Sequence, residues 1–274
     1  MSRTSQRATF RMIAALVVPA YRAVATPRWR GTENLPASGG FVVAANHLTE
    51  LDPITVAHML YRAGVMPRFL AKESLFRIPV VGRLLTRIGQ VPVYRGTSRA
   101  KDSLEAAFAE LAEGGAIIVY PEGTITRDPL MWPMRGRTGA ARLALQAGVP
   151  VVPVAHWGDH QILYRDPQGH RSVSLFPPKR VRGAVGRPLH TEDLVPGGLQ
   201  HPGHPSAAEL ARATSTIMAA VTGLLAELRE EPAPREPVDP RGAAAASSEE
   251  TTQNAAGPAP PEDRLGTAGG SVAP

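Results

Sequence analysis

A histidine and an aspartate stand five residues apart directly after an apolar run. The run is FVVAA at 41–45, and the segment NHLTELDP that follows it contains His47 and Asp52. If the run is a strand of an open α/β sheet, both side chains emerge at the end where such sheets bind ligands. A carboxylate that accepts a hydrogen bond from imidazole Nδ1 leaves Nε2 free to act as a general base. The pair is therefore a candidate for proton transfer, although the spacing taken alone favours a structural or solvated histidine.

Two cations follow two further predicted strands. Lys72 comes after the run at 68–71, and Arg95 comes after the run at 90–94. Lysine and arginine just beyond strand ends can hold a phosphate through charged hydrogen bonds. Taken singly, each residue has the alternative of being an ordinary surface charge, since lysines and arginines mostly lie on surfaces.

A third segment, VYPEGTITR at 119–127, places a carboxylate, a glycine turn, two hydroxyls and an arginine at another strand exit. Its candidate binding residues are Glu122, Gly123, Thr124 and Arg127, and the alternative is a Pro-Glu-Gly turn stabilised by its own side chains. A fourth segment, AGVPVVPV at 147–154, is an apolar strand with two prolines. Because proline cannot donate to a ladder of backbone hydrogen bonds, this strand is expected near a sheet edge or along an apolar groove.

Apolar runs and helical periods alternate along the chain, which predicts an α/β fold. We expect one domain with a mixed, mostly parallel sheet flanked by helices. Helices are predicted at 98–113, at 137–147 and from the capping box Ser206-x-x-Glu209 onward. Strands are predicted at 41–45, 68–71, 90–94, 116–120, 149–155 and 180–185.

Charge is distributed unevenly along the chain. The formal net charge is +6, but residues 229–274 carry four arginines and eight acidic residues, so residues 1–228 hold +10. Few large apolar residues occur in 231–274, which predicts a disordered acidic tail rich in proline and alanine. Six arginines and no acid occur in residues 1–30, which predicts a basic amphipathic helix there. The apolar residues mostly opposite its arginines are Phe10, Ile13, Leu16, Val17 and Val24.

Such an N-terminal helix is expected to contact an anionic membrane surface, and the alternative is a helix that packs on the domain. Pro19 is expected to kink it. No uncharged apolar run is as long as a bilayer-spanning helix requires, so no ordinary transmembrane helix is expected. Nucleic acid is disfavoured as a partner, because only 5% of residues are aromatic and no RNA-binding glycine motif or zinc-finger spacing occurs.

Taken together and in this order, the four segments resemble the lysophosphatidate acyltransferase family, the glycerophospholipid acyltransferases defined by the motif H-x-x-x-x-D. The similarity runs from about Gly31 to Leu189, so the catalytic domain is placed at 31–230. The matching residues are Asn46-His47 with Asp52-Pro53, then Lys72–Phe76 with Pro79, Gly82, Gly89, Pro92 and Arg95, then Pro121–Thr124, and finally residues 149–153.

The resemblance implies that His47 is the general base and that Asp52 orients it. It also implies that the second and third blocks hold the phosphate of the acceptor, and that the fourth is associated with the acyl chain. One departure concerns the third block, which usually continues Glu-Gly-Thr-Arg, whereas Ile125 follows Thr124 here. Either Arg127 or Arg137 is therefore expected to supply that charge.

The implied reaction moves a fatty acyl group from acyl-CoA or acyl carrier protein to the hydroxyl of a lysophospholipid. The expected acceptor is 1-acyl-glycerol-3-phosphate and the product phosphatidate, made by a peripheral enzyme at the cytoplasmic face of the cell membrane. The chain has no cysteine and no G-x-S-x-G motif, so direct transfer without a covalent acyl-enzyme is expected. The alternatives are another lysolipid or polar-lipid acceptor, or a membrane-associated lipid hydrolase in which the pair activates water.

No metal and no cofactor other than the acyl donor are expected. The pair of histidines His156-x-x-x-His160 lacks the glutamate of a zincin motif. It is interpreted as a loop after the fourth block.

Overall fold

Strands and helices alternate along most of the chain in the computed structural model, which describes residues 3–93, 100–166 and 169–238. The helices are α1 Arg3–Val24, α2 Asp52–Arg62, α3 Glu73–Phe76, α4 Pro79–Arg87, α5 Ala100–Ala112, α6 Gly139–Ala147, α7 Thr191–Leu194 and α8 Ala207–Arg229. The strands are β1 Ala25–Arg30, β2 Phe41–Ala45, β3 Pro67–Lys72, β4 Val91–Val93, β5 Ala116–Val119, β6 Val151–Trp157, β7 Leu163–Arg165, β8 Arg171–Val173 and β9 Lys179–Val185.

Seven of these strands form one sheet in the order β1-β9-β6-β2-β5-β3-β4. Every neighbouring pair is parallel except β6 and β9, which are antiparallel. Strands β7 and β8 pair separately as a hairpin. The predicted mixed, mostly parallel sheet flanked by helices is confirmed.

The two faces of the sheet are covered by different helices, as the alternation along β2 shows. Phe41, Val43 and Ala45 pack with residues of α2 on one face. Val42 and Ala44 pack with residues of α5, α6 and α8 on the other. A strand buried on both faces needs a continuous apolar sequence, which is why FVVAA is readable as a strand.

The N-terminal helix is shorter than the predicted segment 1–30, because Ala25–Arg30 form strand β1 and pair in parallel with β9. Helix α1 continues through Pro19, which lies on the exposed side of the helix together with Ala15, four residues earlier. The backbone carbonyl left without its usual partner is therefore on the side of the helix that faces solvent.

The apolar face of α1 is turned toward the domain. Ala14 and Tyr21 are buried, and the Phe10 ring lies 5.5 Å from the Tyr61 ring of α2. Met12 and Leu16 instead point outward, with 71% and 76% of their surfaces exposed. Among the described helices, none combines the length and the apolar content that crossing a bilayer requires.

Strand β6 lies in the interior of the sheet between β9 and β2, so the expectation of an edge strand for the fourth segment is wrong. Pro153 is tolerated there because it stands where the ladder with β9 ends. The first β6–β9 pair is Val154 with Val185, and the Pro153 carbonyl accepts a last hydrogen bond from the Gly186 N–H. The missing amide hydrogen therefore falls at the end of the ladder.

Part of the predicted tail is also described. Residues 231–238 follow α8, and the carbonyl of Val238 accepts a hydrogen bond from the Arg135 N–H at 3.1 Å. The rest of the predicted tail, 239–274, lies outside the described residues.

Candidate active site

The candidate site lies at one edge of the sheet, where the carboxyl ends of four strands meet. Strands β2, β3, β5 and β6 run parallel to their neighbours in this group, so the residues that follow them emerge on the same side. His47 follows β2, Lys72 ends β3 and Tyr120 follows β5. Ligand sites of open α/β sheets are found at this edge.

His47 and Asp52 form a hydrogen-bonded pair, with 2.8 Å between His47 Nδ1 and Asp52 Oδ2. The His47 side chain is 17% exposed, and Asp52 is fully buried. Because a carboxylate only accepts, the Nδ1 atom carries the proton and Nε2 is left for a substrate. The two residues that the sequence singles out are thus brought together in the geometry of an oriented general base.

Asp52 is held by the turn that connects β2 to α2. Its Oδ2 atom also accepts hydrogen bonds from the backbone N–H groups of Leu48 and Thr49, and its Oδ1 atom accepts from the Thr49 hydroxyl at 2.9 Å. Burial by itself would raise the pKa of Asp52. His156, the bond from His47 and the backbone of Thr49 outweigh that effect and hold the pKa below its ordinary value. The carboxylate is therefore ionised when it supports His47.

Tyr120 supports the His47 ring from its flat side. The two rings are stacked, with centroids 4.2 Å apart and planes 20° from parallel. Burial raises the pKa of the Tyr120 hydroxyl well above its usual value, so that group stays neutral. The sequence gives no signal for this contact, since Tyr120 is an ordinary strand-end aromatic until the fold places it against His47.

Glu122 is buried beneath the site and holds two backbone N–H groups. Its side chain is fully buried, Oε1 accepts from the His47 N–H and Oε2 accepts from the Met134 N–H, both at 3.0 Å. Burial raises the pKa of Glu122, while these two donors oppose the rise. Both carboxylate oxygens of Glu122, which the sequence predicts to bind substrate, are thus occupied by backbone groups inside the protein.

A cavity of about 1250 Å³ opens beside His47. Its wall is mostly apolar and is built from α1, α2, the β3–α4 region, α5 and the start of α6. Representative lining residues are Phe10, Val17, Tyr61, Leu75, Leu104 and Leu143. A cavity of this volume and composition suits an extended apolar ligand whose reactive end reaches His47.

Cationic residues border the same cavity. Lys72 and Arg137 both line it, and the Arg137 side chain packs against Gly123, which also lines it and has a φ of 73°. A Cβ atom at position 123 would come within 3.1 Å of Arg137 Cδ. The positive φ and this close approach both favour glycine here.

The structure distinguishes Arg127 from Arg137, the two arginines that the sequence offers as alternatives for the phosphate contact. Both arginines are exposed, but of the residues described here Arg137 lines the cavity, whereas Arg127 and Thr124 do not. The backbone N–H of Arg137 donates to the Pro121 carbonyl at 2.8 Å, which fixes the start of the segment that precedes α6. Arg95, the remaining predicted phosphate ligand, lies outside the described residues.

A second buried histidine–aspartate pair lies behind the first. His156 belongs to strand β6, so its interpretation as part of a loop is wrong, and its Nδ1 atom is 2.8 Å from Asp159 Oδ2. Its Nε2 atom is 3.1 Å from the Asn46 carbonyl oxygen and 3.8 Å from Asp52 Oδ2. The i, i+3 spacing of His156 and Asp159 is the one signal in the sequence, and it does not reveal their proximity to Asp52.

Asp52, His156 and Asp159 together have the spacing of metal ligands, with ligand atoms that lie within 4.8 Å of one another. Both ring nitrogens of His156 are already engaged in hydrogen bonds. A cation at this point would have to break at least one of those bonds and would compete with His47 for Asp52.

Comparisons with known proteins identify acyltransferases as relatives of this chain. A family model described as Acyltransferase matches residues 26–157. A 1-acyl-sn-glycerol-3-phosphate acyltransferase from Bacillus subtilis (strain 168) is 30% identical over 166 residues, which are 60% of this chain and 73% of that protein. A chloroplastic 1-acyl-sn-glycerol-3-phosphate acyltransferase from Brassica napus is 31% identical over 160 residues, 57% of this chain and 45% of that protein. The chain thus spans less than half of the plant relative.

The fold has a solved counterpart. The crystal structure of the 1-acyl-sn-glycerophosphate acyltransferase from Thermotoga maritima is similar, with a TM-score of 0.58 and 23% sequence identity. The match covers 85% of this chain and 86% of the Thermotoga chain. This likeness concerns the fold and includes most of the described part of the chain.

Proposed function

Because the chain belongs to the 1-acyl-sn-glycerol-3-phosphate acyltransferase family, we propose that it transfers an acyl group to 1-acyl-glycerol-3-phosphate and forms phosphatidate. The donor is an acyl thioester, either acyl-CoA or acyl carrier protein. The observation that carries the proposal is the His47–Asp52 pair at the wall of an apolar cavity that also has cationic residues. The three parts supply the base, the lipid site and the phosphate site of one reaction.

His47 acts as the general base in this reaction. Its Nε2 atom takes the proton from the acceptor hydroxyl while the hydroxyl oxygen attacks the thioester carbonyl carbon. The tetrahedral intermediate then breaks its carbon–sulfur bond, and the thiolate leaves with the proton that His47 returns. Asp52 stabilises the imidazolium that forms between these two steps.

Lys72 and Arg137 hold the phosphate of the acceptor. Both border the cavity that contains His47, and a phosphate anchored by two cations would present the nearby glycerol hydroxyl to the base. Charge-assisted hydrogen bonds from arginine to phosphate are among the stronger polar contacts in proteins. Arg95 is proposed as a further ligand from its place in the sequence.

The apolar part of the cavity accommodates acyl chains. Each methylene group moved from water to such a surface contributes about 0.8 kcal/mol. Several of the lining residues belong to α1, including Phe10, Ile13 and Val17. Helix α1 therefore forms part of the lipid site.

We also propose that the chain works as a peripheral enzyme on the cytoplasmic face of an anionic membrane. Outward-facing apolar residues on the helices that border the cavity support this proposal: Met12 and Leu16 on α1, and Val80, 78% exposed, on α4. Shallow insertion of such side chains and the attraction of arginines to anionic lipid act together at a membrane surface. Both the acceptor and the product would then exchange directly with the bilayer.

A panel of lysolipid acceptors tests the proposed reaction. Purified full chain is incubated with acyl-CoA or acyl carrier protein thioester and each acceptor, and the lipid products are identified by mass spectrometry. We expect phosphatidate from 1-acyl-glycerol-3-phosphate and no product with His47→Ala at equal folded concentration. Phosphatidate formation by folded His47→Ala would exclude the mechanism. Free fatty acid as the main wild-type product would indicate a hydrolase, and preference for another lysolipid would exclude the proposed acceptor.

A further inference from the structure

His156 has hydrogen-bond partners that fix where its protons are. The Nε2 atom faces the Asn46 carbonyl oxygen at 3.1 Å, and a carbonyl only accepts, so Nε2 carries a hydrogen. The Nδ1 atom faces Asp159 Oδ2 at 2.8 Å, and an ionised carboxylate also only accepts. With both nitrogens donating, the His156 ring is an imidazolium.

The charge of that ring lies next to the aspartate of the proposed catalytic pair. His156 Nε2 is 3.8 Å from Asp52 Oδ2, and both side chains are shielded from solvent, with 1% and 0% of their surfaces exposed. Water does not screen a charge pair at such a position as it would at the surface. The burial of Asp52 would otherwise favour its neutral form.

His156 also holds the backbone that carries His47. Its N–H donates to the Asn46 side-chain oxygen at 3.0 Å, and the Asn46 side-chain NH₂ donates to the His156 carbonyl at 3.1 Å. With the Nε2 bond, this makes three hydrogen bonds between Asn46, which follows β2 immediately before His47, and His156 near the end of β6. Asn46 and His156 therefore act as one unit.

We propose that His156 is a positioning residue that stays protonated during the reaction and, through Asp52, sets the protonation equilibrium of His47. With the imidazolium in place, Asp52 is ionised and its negative charge is partly balanced. A partly balanced carboxylate attracts a neighbouring proton less strongly than an uncompensated one does. The proposal rests on the general-base function proposed for His47.

Titratable and charged groups surround this unit from several elements. Asp52 and His47 lie on the β2–α2 segment, and Asp159 and His160 lie just after β6. Tyr21 of α1 reaches Asp159 through the hydroxyl of Thr55, by contacts of 2.9 and 2.6 Å. Tyr120 and Glu122 also interact with Asp52, and Arg229 interacts with His160. Burial opposes the charge on His156, but Asp52, Asp159 and the Asn46 carbonyl together raise its pKa to about 9.

The activity test compares pH profiles of wild type and His156→Gln. Glutamine keeps an N–H donor that can reach the Asn46 carbonyl and removes the positive charge. Without that charge the His47–Asp52 pair holds its proton more tightly, so the acid limb of the kcat/KM profile should move up by about one pH unit. At a pH on that limb, kcat/KM of His156→Gln should be about tenfold lower than that of wild type. The matched control is His170→Gln, which removes an exposed histidine whose Nδ1 is 2.9 Å from Asp166 and should leave the limb in place.

A second measurement does not depend on activity or on a variant. Full chain labelled with ¹⁵N-histidine is observed by NMR at about pH 8, where histidines of ordinary pKa are neutral. One ring should keep protons on both nitrogens, and absence of such a ring overturns the proposal. A His156→Gln profile whose acid limb coincides with that of wild type also overturns it, since a purely structural role lowers the plateau or the Tm without moving the limb. If the wild-type chain is inactive in every assay, the proposed function is contradicted instead. The NMR measurement does not depend on activity and would still test the charge on His156.

Discussion

His47 is held from three directions, and each contact controls a different property of the residue. Asp52 accepts from its Nδ1 atom and fixes the tautomer, Tyr120 stacks on the ring plane, and Glu122 accepts from its backbone N–H. The two carboxylates are fully buried. A side chain held in this way has its orientation set before a substrate arrives, which is the preorganisation that the proposed general base requires.

Glu122→Gln tests whether Glu122 acts on the backbone. Glutamine has one oxygen and one NH₂ group, so the N–H of either His47 or Met134 would face a group that cannot accept a hydrogen bond. An unsatisfied buried donor costs about 1–3 kcal/mol. We expect the free energy of unfolding to fall by about that amount in urea titrations and kcat to fall with it. A raised acceptor KM with unchanged kcat and stability would place Glu122 on the substrate instead.

Arg137→Ala and Arg127→Ala form a matched pair for the phosphate site, because Arg137 borders the cavity and Arg127 does not. Loss of a charged hydrogen bond of about 1.5–3 kcal/mol should raise the acceptor KM about 10-fold or more in Arg137→Ala. Arg127→Ala should stay within about twofold of wild type. Steady-state kinetics with varied acceptor measure both, and a larger effect for Arg127 would refute the assignment. We expect Arg95→Ala to raise the acceptor KM as Arg137→Ala does.

At the scale of elements, the C-terminal end of α8 holds the loop that contains the proposed binding residues. The Arg229 guanidinium lies 4.1 Å from the Trp132 ring centre and 4.4 Å from that of Trp157, between the loop and β6. It also donates to the Leu130 carbonyl at 2.6 Å. The loop from Pro121 to Thr138 is thereby fastened to a helix that is itself packed on the sheet.

Arg229→Met tests this attachment. Methionine keeps an apolar side chain between the two indoles but removes the cation–π contacts and the hydrogen bond, together worth about 1–3 kcal/mol. For a domain of this size we expect the Tm to fall by about 3–10 °C. Arg30→Met is the control, because Arg30 pairs with Glu227 at 2.6 Å on the exposed surface, where such pairs contribute about 0–1 kcal/mol. Equal losses in the two variants would show that Arg229 is an ordinary surface arginine.

The predictability of each element from sequence follows the kind of contact that forms it. Strand β2 and the capping box of α8 are readable because their signals are local: a doubly buried apolar run and a Ser206–Glu209 pair. Strand β1 is not, because its sequence ATPRWR contains a proline and two arginines, and only Ala25 of the strand is buried. Its identity as a strand depends on pairing with β9, which begins only at Lys179.

The residues of the candidate site divide in the same way. His47, Asp52 and Lys72 are recognisable because each stands at the exit of a readable strand. His156, Asp159 and Tyr120 are not, because their roles depend on distances across the sheet that residue spacing does not encode. Which of Arg127 and Arg137 borders the cavity likewise depends on the course of the loop.

At the scale of the whole molecule, the positive charge and the exposed apolar side chains should act together at a membrane. The contribution of α1 to membrane binding is better tested by point substitutions than by removing residues 1–28. That deletion would also remove Tyr21 and most of β1. Met12→Ser/Leu16→Ser removes two exposed apolar side chains and leaves the buried face of α1 unchanged. We expect about tenfold or greater loss of binding to anionic vesicles in a sedimentation assay, because burying each such side chain contributes about 1.5–3 kcal/mol.

Leu130→Ser is the control for the vesicle experiment, since Leu130 is 68% exposed on the loop held by α8. It should bind vesicles as wild type does. Raising the salt concentration should weaken binding of every form, because arginines contribute through screened attraction. Wild type that stays in the supernatant at low salt, or a double variant that sediments equally well, would show that α1 only packs on the domain.

The pairing of β1 with β9 also has a consequence for the order in which the newly made chain folds. Helix α1 and β1 leave the ribosome well before β9, because the strand that receives β1 ends only at Val185. At about 5–20 residues per second, the intervening chain takes on the order of ten seconds or more to make. During that interval α1 and β1 have no sheet edge to join. We therefore expect β1 to reach its native position only after β9 has emerged, and ribosome-bound chains that end before β9 to remain open to proteolysis within β1.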